Sequence, residues 1–330
     1  MRWIQALHQR YGDAVRTSPD QVSYACAEAW RSIYGHATAT RKSTEKDPRF
    51  FGQTLSKGTP DILRAPGPDH SRFRRNFSHA FSDRALREQQ PLIAHYADML
   101  VAKLQALVQA DPEVKAEMVF LYNLTTFDIM GELTFGDPLN LLEGTGSTNW
   151  VTTIFSSVKV NSIRRVARYY PWCAALVNPL IPRSLKKMQA THYRSCRERV
   201  DSRLARTVDK PDIWGLIMAQ KEELRLNREE MYTNSQLFMV AGTETTATAL
   251  SGLTYQLLLN PDKLALLTKE VRGMFAHSAE IDMLRLAQMK YLNFCIEEGL
   301  RMYPPVPTGM ARVIPKEGME ICGEYLPGNV

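Results

Sequence analysis

The stretch "LFMVAGTETTATAL", residues 237–250, places a carboxyl and a hydroxyl side by side in the middle of a long helical pattern. Glu244 and Thr245 follow Ala241-Gly242, and an acid next to a hydroxyl is suited to passing protons. Glycine in a helix interior costs about 1 kcal/mol relative to alanine, and threonine hydroxyls there can bond to the carbonyl four residues earlier and bend the helix. The stretch therefore predicts either a groove flanked by Glu244 and Thr245 or a notch where another backbone approaches closely. The sequence leaves both interpretations open.

A second stretch, "EEGLRMYPPVPTGMAR", carries an acid and a base that share one helix face. Glu298 and Arg301 are three residues apart, so their side chains can pair. The same Glu-x-x-Arg spacing recurs at 28–31 and 222–225, where an exposed pair worth less than about 1 kcal/mol is the simpler interpretation. Only the third match lies on an otherwise apolar helix that runs into a Tyr-Pro-Pro turn. We therefore expect Glu298 and Arg301 to pair inside the protein.

A third stretch, "PDHSRFRRNFSHAFS", concentrates cations at the start of a helix. His70, Arg72, Arg74 and Arg75 lie within six residues, next to aromatic side chains. Such a cluster suits an anionic ligand, either a phosphate or a carboxylate. A solvated basic helix face is the simpler interpretation of this stretch taken alone.

Composition restricts the class of protein. With 330 residues and 44% hydrophobic side chains, the chain can bury one large core or two modest ones. The five cysteines are scattered, odd in number and never spaced Cys-x-x-Cys, which argues against a disulfide framework or a zinc site and suggests a reducing compartment. No apolar run reaches 18 residues and the first residues do not resemble a signal peptide, so the sequence predicts no transmembrane segment.

The positive charge belongs to one segment rather than to the whole chain. Residues 159–210 contain 13 Lys/Arg against 3 Asp/Glu, whereas the rest contains 28 against 32. This confinement, together with the lack of a recognised module, argues against a nucleic-acid-binding protein. The Gly-x-Gly-x-x-Gly, Gly-x-x-x-x-Gly-Lys, His-Glu-x-x-His and Gly-x-Ser-x-Gly motifs do not occur either, which excludes the commonest nucleotide-binding, metalloprotease and esterase readings.

Hydrophobic periodicity predicts a mostly α-helical single domain with a small β portion near the two ends of the chain. The prediction includes a strand around Ala14–Arg16 and a following helix opened by Ser18-Pro19-Asp20, with the serine as its cap. It also includes a short strand, "ICGEY", that contains Cys322. The longest helices are expected at 70–82, 84–110, 114–135, 148–168, 184–206, 228–258 and 289–303, and a long loop is expected at 36–69.

In combination, these stretches resemble the cytochrome P-450 heme-thiolate monooxygenases. "AGTETT" (241–246) is similar to the family's oxygen-groove motif, and "EGLR" (298–301) before Tyr-Pro-Pro is similar to its Glu-x-x-Arg helix. "HSRFR" (70–74) stands where the family usually has Trp-x-x-x-Arg, with histidine in place of tryptophan. "YGDAVR" and "HAFS" resemble fungal members that act in secondary metabolism. The resemblance covers essentially all 330 residues and implies one cytochrome P-450 domain.

The resemblance implies roles for the polar residues. Glu244 and Thr245 would be catalytic, delivering protons, and Ala241-Gly242 would clear space for dioxygen beside the heme b cofactor. His70, Arg74 and Arg312 would hold the heme propionates as charge-assisted donors. Two further residues, Glu298 and Arg301, would form a structural ion pair near the heme.

The resemblance also implies a substrate and partners. The 36–69 loop, the 155–182 region and the segment of Val306, Thr308 and Met310 would shape a pocket for a lipophilic small molecule. Electrons would come from an NADPH-cytochrome reductase at the endoplasmic reticulum membrane surface, although a cytoplasmic location stays open. The basic segment 159–210 would contact that membrane peripherally, or it would be a solvated helix pair.

The chain departs from the family at both ends. We expect no N-terminal anchor and no Phe-x-x-Gly-x-Arg-x-Cys-x-Gly loop, the source of the axial thiolate, so the domain is expected to be incomplete and no residue is assigned as a metal ligand. Cys322 matches that loop at only one other position and has Glu320 two residues before it, which raises a thiol pKa; we interpret it as structural. Since the thiolate favours O–O cleavage, the chain as written is expected to be inactive. The alternative is a non-catalytic pseudo-enzyme or a small-molecule-binding protein.

Overall fold

The structure is a computed structural model that describes residues 2–35, 43–52, 58–146, 150, 162–170, 172, 182–206, 212–218 and 226–330. The predicted fold class is confirmed, because most of these residues are helical and the strands form only small sheets. The helices are Arg2–Tyr11, Ala27–Tyr34, Pro48–Phe51, Gly67–Ser78, Asp83–Ala110, Met118–Phe135, Arg183–Leu204, Ile213–Met218, Arg228–Leu259, Pro261–Met274, Met283–Gln288 and Lys290–Met302, together with helical residues 162–169 and a 3-10 turn at Ser278–Glu280.

The longest helix, Arg228–Leu259, is called the central helix here. It begins with a capping box, in which the Asn227 side chain accepts from the Glu230 backbone N–H at 2.9 Å and the Glu230 carboxylate accepts from the Asn227 N–H at 2.8 Å. Its main partner is the helix Met118–Phe135, whose Thr126 hydroxyl donates to the Thr243 carbonyl at 3.2 Å. The start and the course of the central helix are therefore fixed by local capping and by one long packing contact.

The larger hydrophobic core surrounds the first half of the central helix. Phe238 contacts Phe77 edge to face, with ring centroids 4.9 Å apart, and lies 6.1 Å from the Trp214 ring. Aromatic pairs of this kind are worth about 0.5–1.5 kcal/mol beyond the area they bury. Helices Gly67–Ser78 and Ile213–Met218 are thus held against the central helix by large, buried rings.

Three two-stranded antiparallel sheets make up the β portion of the described residues. They pair β1 (Ala14–Ser18) with β2 (Gln21–Tyr24), β3 (Glu45–Lys46) with β4 (Arg312–Val313), and β5 (Met319–Ile321) with β6 (Glu324–Leu326). A second, smaller hydrophobic cluster joins the helix Ala27–Tyr34 to β5 and β6, and its buried members are Ala29, Ile314, Met319, Ile321 and Leu326. Both ends of the chain therefore contribute to one β-rich part.

Two local predictions were wrong. Ser18-Pro19-Asp20 does not open a helix; it connects β1 to β2, and the Ser18 hydroxyl donates to the Asp20 carboxylate at 2.9 Å. Serine, proline and aspartate favour a tight turn as strongly as a helix start, and here the strand pairing decides between them. "ICGEY" is not one strand either, because Cys322-Gly323 forms the turn between β5 and β6.

The segment expected to be a loop over 36–69 contains regular structure in its described parts, 43–52 and 58–69. β3 lies there, and so does the short helix Pro48–Phe51, whose start is capped by the Asp47 carboxylate accepting from the Arg49 N–H at 2.8 Å. Residues 36–42 and 53–57 lie outside the described residues. Within the described part of the chain, no helix combines the length and the apolar character needed to cross a bilayer.

Candidate functional site

The pairing of β3 with β4 brings two cations together. Lys46 lies directly opposite Arg312 in the antiparallel register, so both side chains stand on one face of the pair. The Lys46 ammonium donates to the carbonyls of Ile62 at 2.9 Å and Ala65 at 3.1 Å. Burial, followed by the charge of Arg312, lowers the pKa of Lys46 to about 8. Sheet pairing therefore holds two positive charges close together at a cost in free energy.

Arg312 has an unsatisfied buried donor. Its Nε atom is buried without a hydrogen-bond partner among the described residues, while its guanidinium carbon lies 5.4 Å from the centre of the Tyr34 ring. Burial lowers the pKa of Arg312. A buried donor without an acceptor costs about 1–3 kcal/mol, and more when it is charged. An anionic acceptor at this point would remove that cost.

His70 and Arg74 complete the group, which we call the cation cluster (Lys46, His70, Arg74, Arg312). The pKa of His70 is lowered by partial burial first, and then by the charges of Lys46, Arg74 and Arg312. Lys46 and Arg312 are paired across the strands, His70 and Arg74 share one helix, and these charge effects relate His70 to all three cations. The structure therefore brings together the three residues that the sequence analysis assigned to an anionic group, and it adds Lys46, which that analysis missed.

Arg72, from the same basic stretch, has a different function. It forms an ion pair with Glu230 at the start of the central helix and bonds to Asp69 at 3.4 Å. His70 and Arg74 are four residues apart and share a helix face, whereas Arg72 points to a different side. The stretch thus divides into a face that joins the cation cluster and a residue that ties its helix to the central helix.

The threonines of the central helix bond back to their own helix. The Thr245 hydroxyl donates to the Ala241 carbonyl at 2.6 Å, and the Thr243 hydroxyl donates to the Met239 carbonyl at 2.5 Å. These are the bonds to the carbonyl four residues earlier that the sequence led us to consider. Neighbouring Glu244 is partly buried, and this burial raises its pKa. A carboxyl that keeps its proton more readily than usual therefore lies next to an oriented hydroxyl.

Gly242 is a point of close helix packing. A methyl group built at this glycine would lie 2.4 Å from the Met130 sulfur and 2.8 Å from its Cγ. Met130 belongs to the helix Met118–Phe135, so the notch interpretation describes this residue well. Ala241, by contrast, is exposed along the helix surface. The two small residues of the motif thus face different surroundings.

The expected burial of the Glu298–Arg301 pair is wrong in this structure. The Arg301 guanidinium does donate to the Glu298 carboxylate, at 2.6 and 2.7 Å. However, the two side chains are 70% and 54% exposed for Arg301 and Glu298 respectively. In the described part of the chain, Gly299 is the one buried residue of the helix Lys290–Met302. The apolar face that suggested burial is only partly covered, because Leu292 and Cys295 are half-buried and Leu300 is exposed.

Segments predicted to line a substrate pocket lie at the surface. Val306, Thr308 and Met310 are exposed, and the Met310 carbonyl accepts from the Tyr34 hydroxyl at 2.9 Å. The two other predicted segments contact each other, because Arg168 donates from Nε to the Arg49 carbonyl at 2.7 Å. Residues 155–161, 171 and 173–181 of the second segment lie outside the described residues.

Comparison with known proteins gives a consistent result. A model of the cytochrome P450 family matches residues 2–329. The chain is 46% identical over 328 residues to cytochrome P450 monooxygenase efuB of Hormonema carpetanum, covering 98% of this chain and 65% of that protein. It is 42% identical over 332 residues to cytochrome P450 monooxygenase FUM2 of Gibberella moniliformis, covering 99% of this chain and 70% of that protein.

A third relative is averantin hydroxylase of Dothistroma septosporum, which is 38% identical over 329 residues, covering 98% of this chain and 60% of that protein. The chain therefore spans about two thirds of the length of the curated relatives that it matches. The match extends over the cation cluster, the central helix and the Glu-x-x-Arg helix alike. On this basis, the chain belongs to the cytochrome P450 family.

Proposed function

We propose that this chain forms the larger part of a heme-dependent monooxygenase that inserts one oxygen atom from dioxygen into a lipophilic small molecule in fungal secondary metabolism. Membership of the cytochrome P450 family and the fungal relatives support this assignment. Heme b, when bound, supplies the activation of dioxygen. The residues of this chain bind that cofactor, orient the substrate and move protons.

The cation cluster is the observation that carries the proposal. A heme presents two carboxylates, and charge-assisted donors are the strongest protein partners for carboxylates. Arg312 Nε is a buried donor that lacks an acceptor, and Lys46, His70 and Arg74 lie near it. The residues present therefore fit the propionate end of a heme. Lys46 and Arg312 reach this position from paired strands, and His70 and Arg74 reach it from one helix face.

Glu244 and Thr245 are assigned to proton delivery. The raised pKa of Glu244 lets its carboxyl hold a proton closer to neutral pH, and the Thr245 hydroxyl is oriented by the Ala241 carbonyl at 2.6 Å. Ala241 is exposed and its side chain is only a methyl group, so it leaves space beside the helix. At Gly242, by contrast, the space that a side chain would occupy is filled by Met130. Gly242 accordingly contributes by seating the central helix, and Ala241 by leaving room beside it.

The substrate pocket and the partners are assigned from membership of the family. Val306, Thr308 and Met310 form one wall of the substrate pocket, with the contacting segments around Arg49 and Arg168 on another side. Segment 159–210 contacts a membrane surface, since exposed Val166 and Trp172 there are interleaved with Arg164 and Arg165. That surface is the endoplasmic reticulum membrane, and an NADPH-cytochrome reductase is the electron donor.

We assign the axial thiolate to a part of the protein beyond these 330 residues. Cys196 is fully buried in the larger core, and burial raises its pKa, so it stays a thiol. Cys322 lies in the β5–β6 turn against Cys26. Cys173 is outside the described residues. The relatives exceed this chain in length by about a third of their own length, which leaves room for a ligand loop. We therefore expect no monooxygenase turnover from these 330 residues alone.

Sequencing the transcript past the codon for Val330 tests this assignment. An in-frame Phe-x-x-Gly-x-Arg-x-Cys-x-Gly is the expected result, and a stop codon without it would favour a small-molecule-binding protein without redox chemistry. Spectroscopy gives a second test. The 330-residue chain, mixed with heme, reduced and exposed to carbon monoxide, should lack a thiolate-type Soret band. Such a band, lost on Cys322→Ala, would contradict the assignment of the thiolate.

A further inference from the structure

Two cysteines from opposite ends of the chain meet in the structure. The Sγ atoms of Cys26 and Cys322 are 3.0 Å apart, although the residues are 296 positions apart in the sequence, and both are free thiols. Cys26 is the residue before the helix Ala27–Tyr34, and Cys322 lies in the turn between β5 and β6. The contact is not used by the proposed oxygenation chemistry.

The backbone at Cys322 is unusual. Its φ is +52°, and that of Gly323 is +79°, as a two-residue hairpin turn requires. Glycine, asparagine and aspartate occupy such positions readily, whereas other residues seldom do. A cysteine here has a conformational cost that a glycine would not have. The turn therefore holds a less favourable residue at the one place where its sulfur meets Cys26.

Packing holds both sulfurs in place. Ala29 of the helix Ala27–Tyr34 and Ile321 of β5 are buried in the same hydrophobic cluster, and Cys26 itself packs against that cluster. The two thiols thus extend from elements that are already docked. A disulfide bond is about 2.05 Å long, so the sulfurs would need to approach by only about 1 Å.

We propose that Cys26 and Cys322 are the site of a reversible disulfide that joins the helix Ala27–Tyr34 to the hairpin of β5 and β6. The oxidant is a small-molecule disulfide such as oxidised glutathione. One cysteine thiolate attacks it and releases one glutathione, and the second cysteine then displaces the other glutathione. Two cysteine thiols lose two protons and two electrons, one sulfur–sulfur bond forms, and one glutathione disulfide is reduced to two thiols.

Exposure and charge indicate which sulfur reacts first and how pH affects the rate. Cys322 is exposed and Cys26 is partly buried, so Cys322 is the accessible nucleophile. The hydrogen bond with Cys26 first, then burial and the charges of Glu28 and Asp13, raise the pKa of Cys322 to about 11. Tyr24 also lies near the two sulfurs, and Glu324 lies near Tyr24. The thiolate fraction, and with it the rate of linkage, should therefore rise as the pH is increased from 7 to 10.

The disulfide would act on the cation cluster through Tyr34. Tyr34 lies at the other end of the helix that Cys26 precedes, where its ring faces Arg312 and its hydroxyl donates to the Met310 carbonyl at 2.9 Å. Linking the start of this helix to the β5–β6 turn would limit the movement of its end. Oxidation should also raise the Tm of the chain, because the disulfide links two residues that are 296 positions apart and so restricts the unfolded chain.

The test uses the 330-residue chain in buffers of oxidised and reduced glutathione, followed by alkylation with N-ethylmaleimide, trypsin digestion and mass spectrometry. The expected product is the peptide Thr17–Arg31 linked to Glu317–Val330, two hydrogen atoms lighter than the separate peptides. At micromolar protein it should exceed any intermolecular pairing by about 1,000-fold, because neighbouring thiols have a millimolar effective concentration. Dithiothreitol should reverse it.

Variants separate this pair from other cysteines. Cys26→Ser and Cys322→Ser should each abolish the linked peptide and the rise in Tm, whereas Cys295→Ser, at a partly buried thiol on another helix, should change neither. Because the linkage is first measured in the unaltered chain, the test does not depend on the folding of a variant. Recovery of both peptides fully alkylated under oxidising buffer, or linkage of either cysteine to a different one, would overturn the proposal.

Discussion

The two halves of the central helix differ in how much of their surface the described chain covers. From Glu230 to Ser235, every residue is buried, and Phe238 and Met239 extend this contact. Near the other end, Tyr255, Leu258 and Leu259 are about 60% exposed or more. One continuous helix therefore passes from the packed core to a more exposed surface, where its neighbours are the helices Pro261–Met274 and Lys290–Met302.

The helices that follow the central helix are also poorly buried. In the described structure, Pro261–Met274 and Met283–Gln288 contain no buried residue. Their sequences still carry apolar stripes, so burial cannot be inferred from periodicity alone. The comparison teaches that the first half of the central helix lies in the larger core, whereas Ala247 and Gly252 are the buried residues described beyond residue 246 of this helix.

The largest predicted difference concerns apolar side chains in the two halves. Phe238→Ala should lower the free energy of unfolding by about 3–5 kcal/mol, because it removes a ring packed against Phe77 and Trp214. Leu258→Ala, the matched change at a side chain that is 66% exposed, should stay within about 0.5 kcal/mol of the unaltered chain. Urea unfolding followed by circular dichroism measures both. Equal losses would mean that the second half is covered as well as the first.

Two glycine substitutions should change the free energy of unfolding by intermediate amounts and in opposite directions. Gly242→Ala should cost about 1–3 kcal/mol, because the new methyl would lie 2.4 Å from the Met130 sulfur. Gly273→Ala, in a helix that follows, meets nothing within 4 Å and should stabilise by up to about 1 kcal/mol. The same unfolding experiment applies. A neutral Gly242→Ala would show that the close approach to Met130 is easily relaxed.

A pH series tests whether burial of Lys46 beside Arg312 lowers the stability of the folded chain. The pKa of Lys46 is lowered to about 8 in the folded chain, so the unfolded chain binds more protons between pH 8 and pH 10.5. Stability should therefore rise with pH across this window and lose that gain as pH falls. At about 1.4 kcal/mol per pKa unit, discounted for partial exposure, the gain is about 1–2 kcal/mol.

Lys46→Met isolates this effect from other alkaline titrations. The difference in unfolding free energy between the unaltered chain and Lys46→Met should change across pH 8–10.5 and be flat below pH 8. A difference that stays constant from pH 7 to pH 10.5 would show that Lys46 is not desolvated beside Arg312.

The smallest effect is expected at the exposed ion pair of the helix Lys290–Met302. Arg301→Ala should leave the urea midpoint unchanged within error, because Arg301 and Glu298 are both well exposed. Arg203→Ala is the contrasting control, since the Arg203–Asp212 pair is almost fully buried. Removing one partner of a buried pair leaves an unpaired charge and should lower the midpoint clearly. A clear loss at Arg301 would indicate cover that the described residues do not provide.

The sequence predicted the helical class because long 3.6-residue periods mark helices regardless of their partners. It could not distinguish a turn from a helix start at Ser18-Pro19-Asp20, since the deciding strand pairing is a tertiary contact. Lys46 was missed for the same reason: nothing near it in the sequence indicates that it pairs with Arg312. His70 and Arg74 were assigned through the family resemblance, because the local cluster of cations alone was equally typical of a solvated helix face. The exposure of Glu298 was not predictable, because burial depends on what covers a face.

Heme titration of the 330-residue chain tests the central claim, that the cation cluster holds an anionic cofactor. Arg312→Ala should weaken heme binding by about 10- to 100-fold, the loss of one charge-assisted hydrogen bond, as measured by Soret absorbance. Arg84→Ala, at an exposed arginine paired with Glu88, is the matched control and should bind heme as the unaltered chain does. Equal heme affinity of Arg312→Ala and the unaltered chain would contradict the claim.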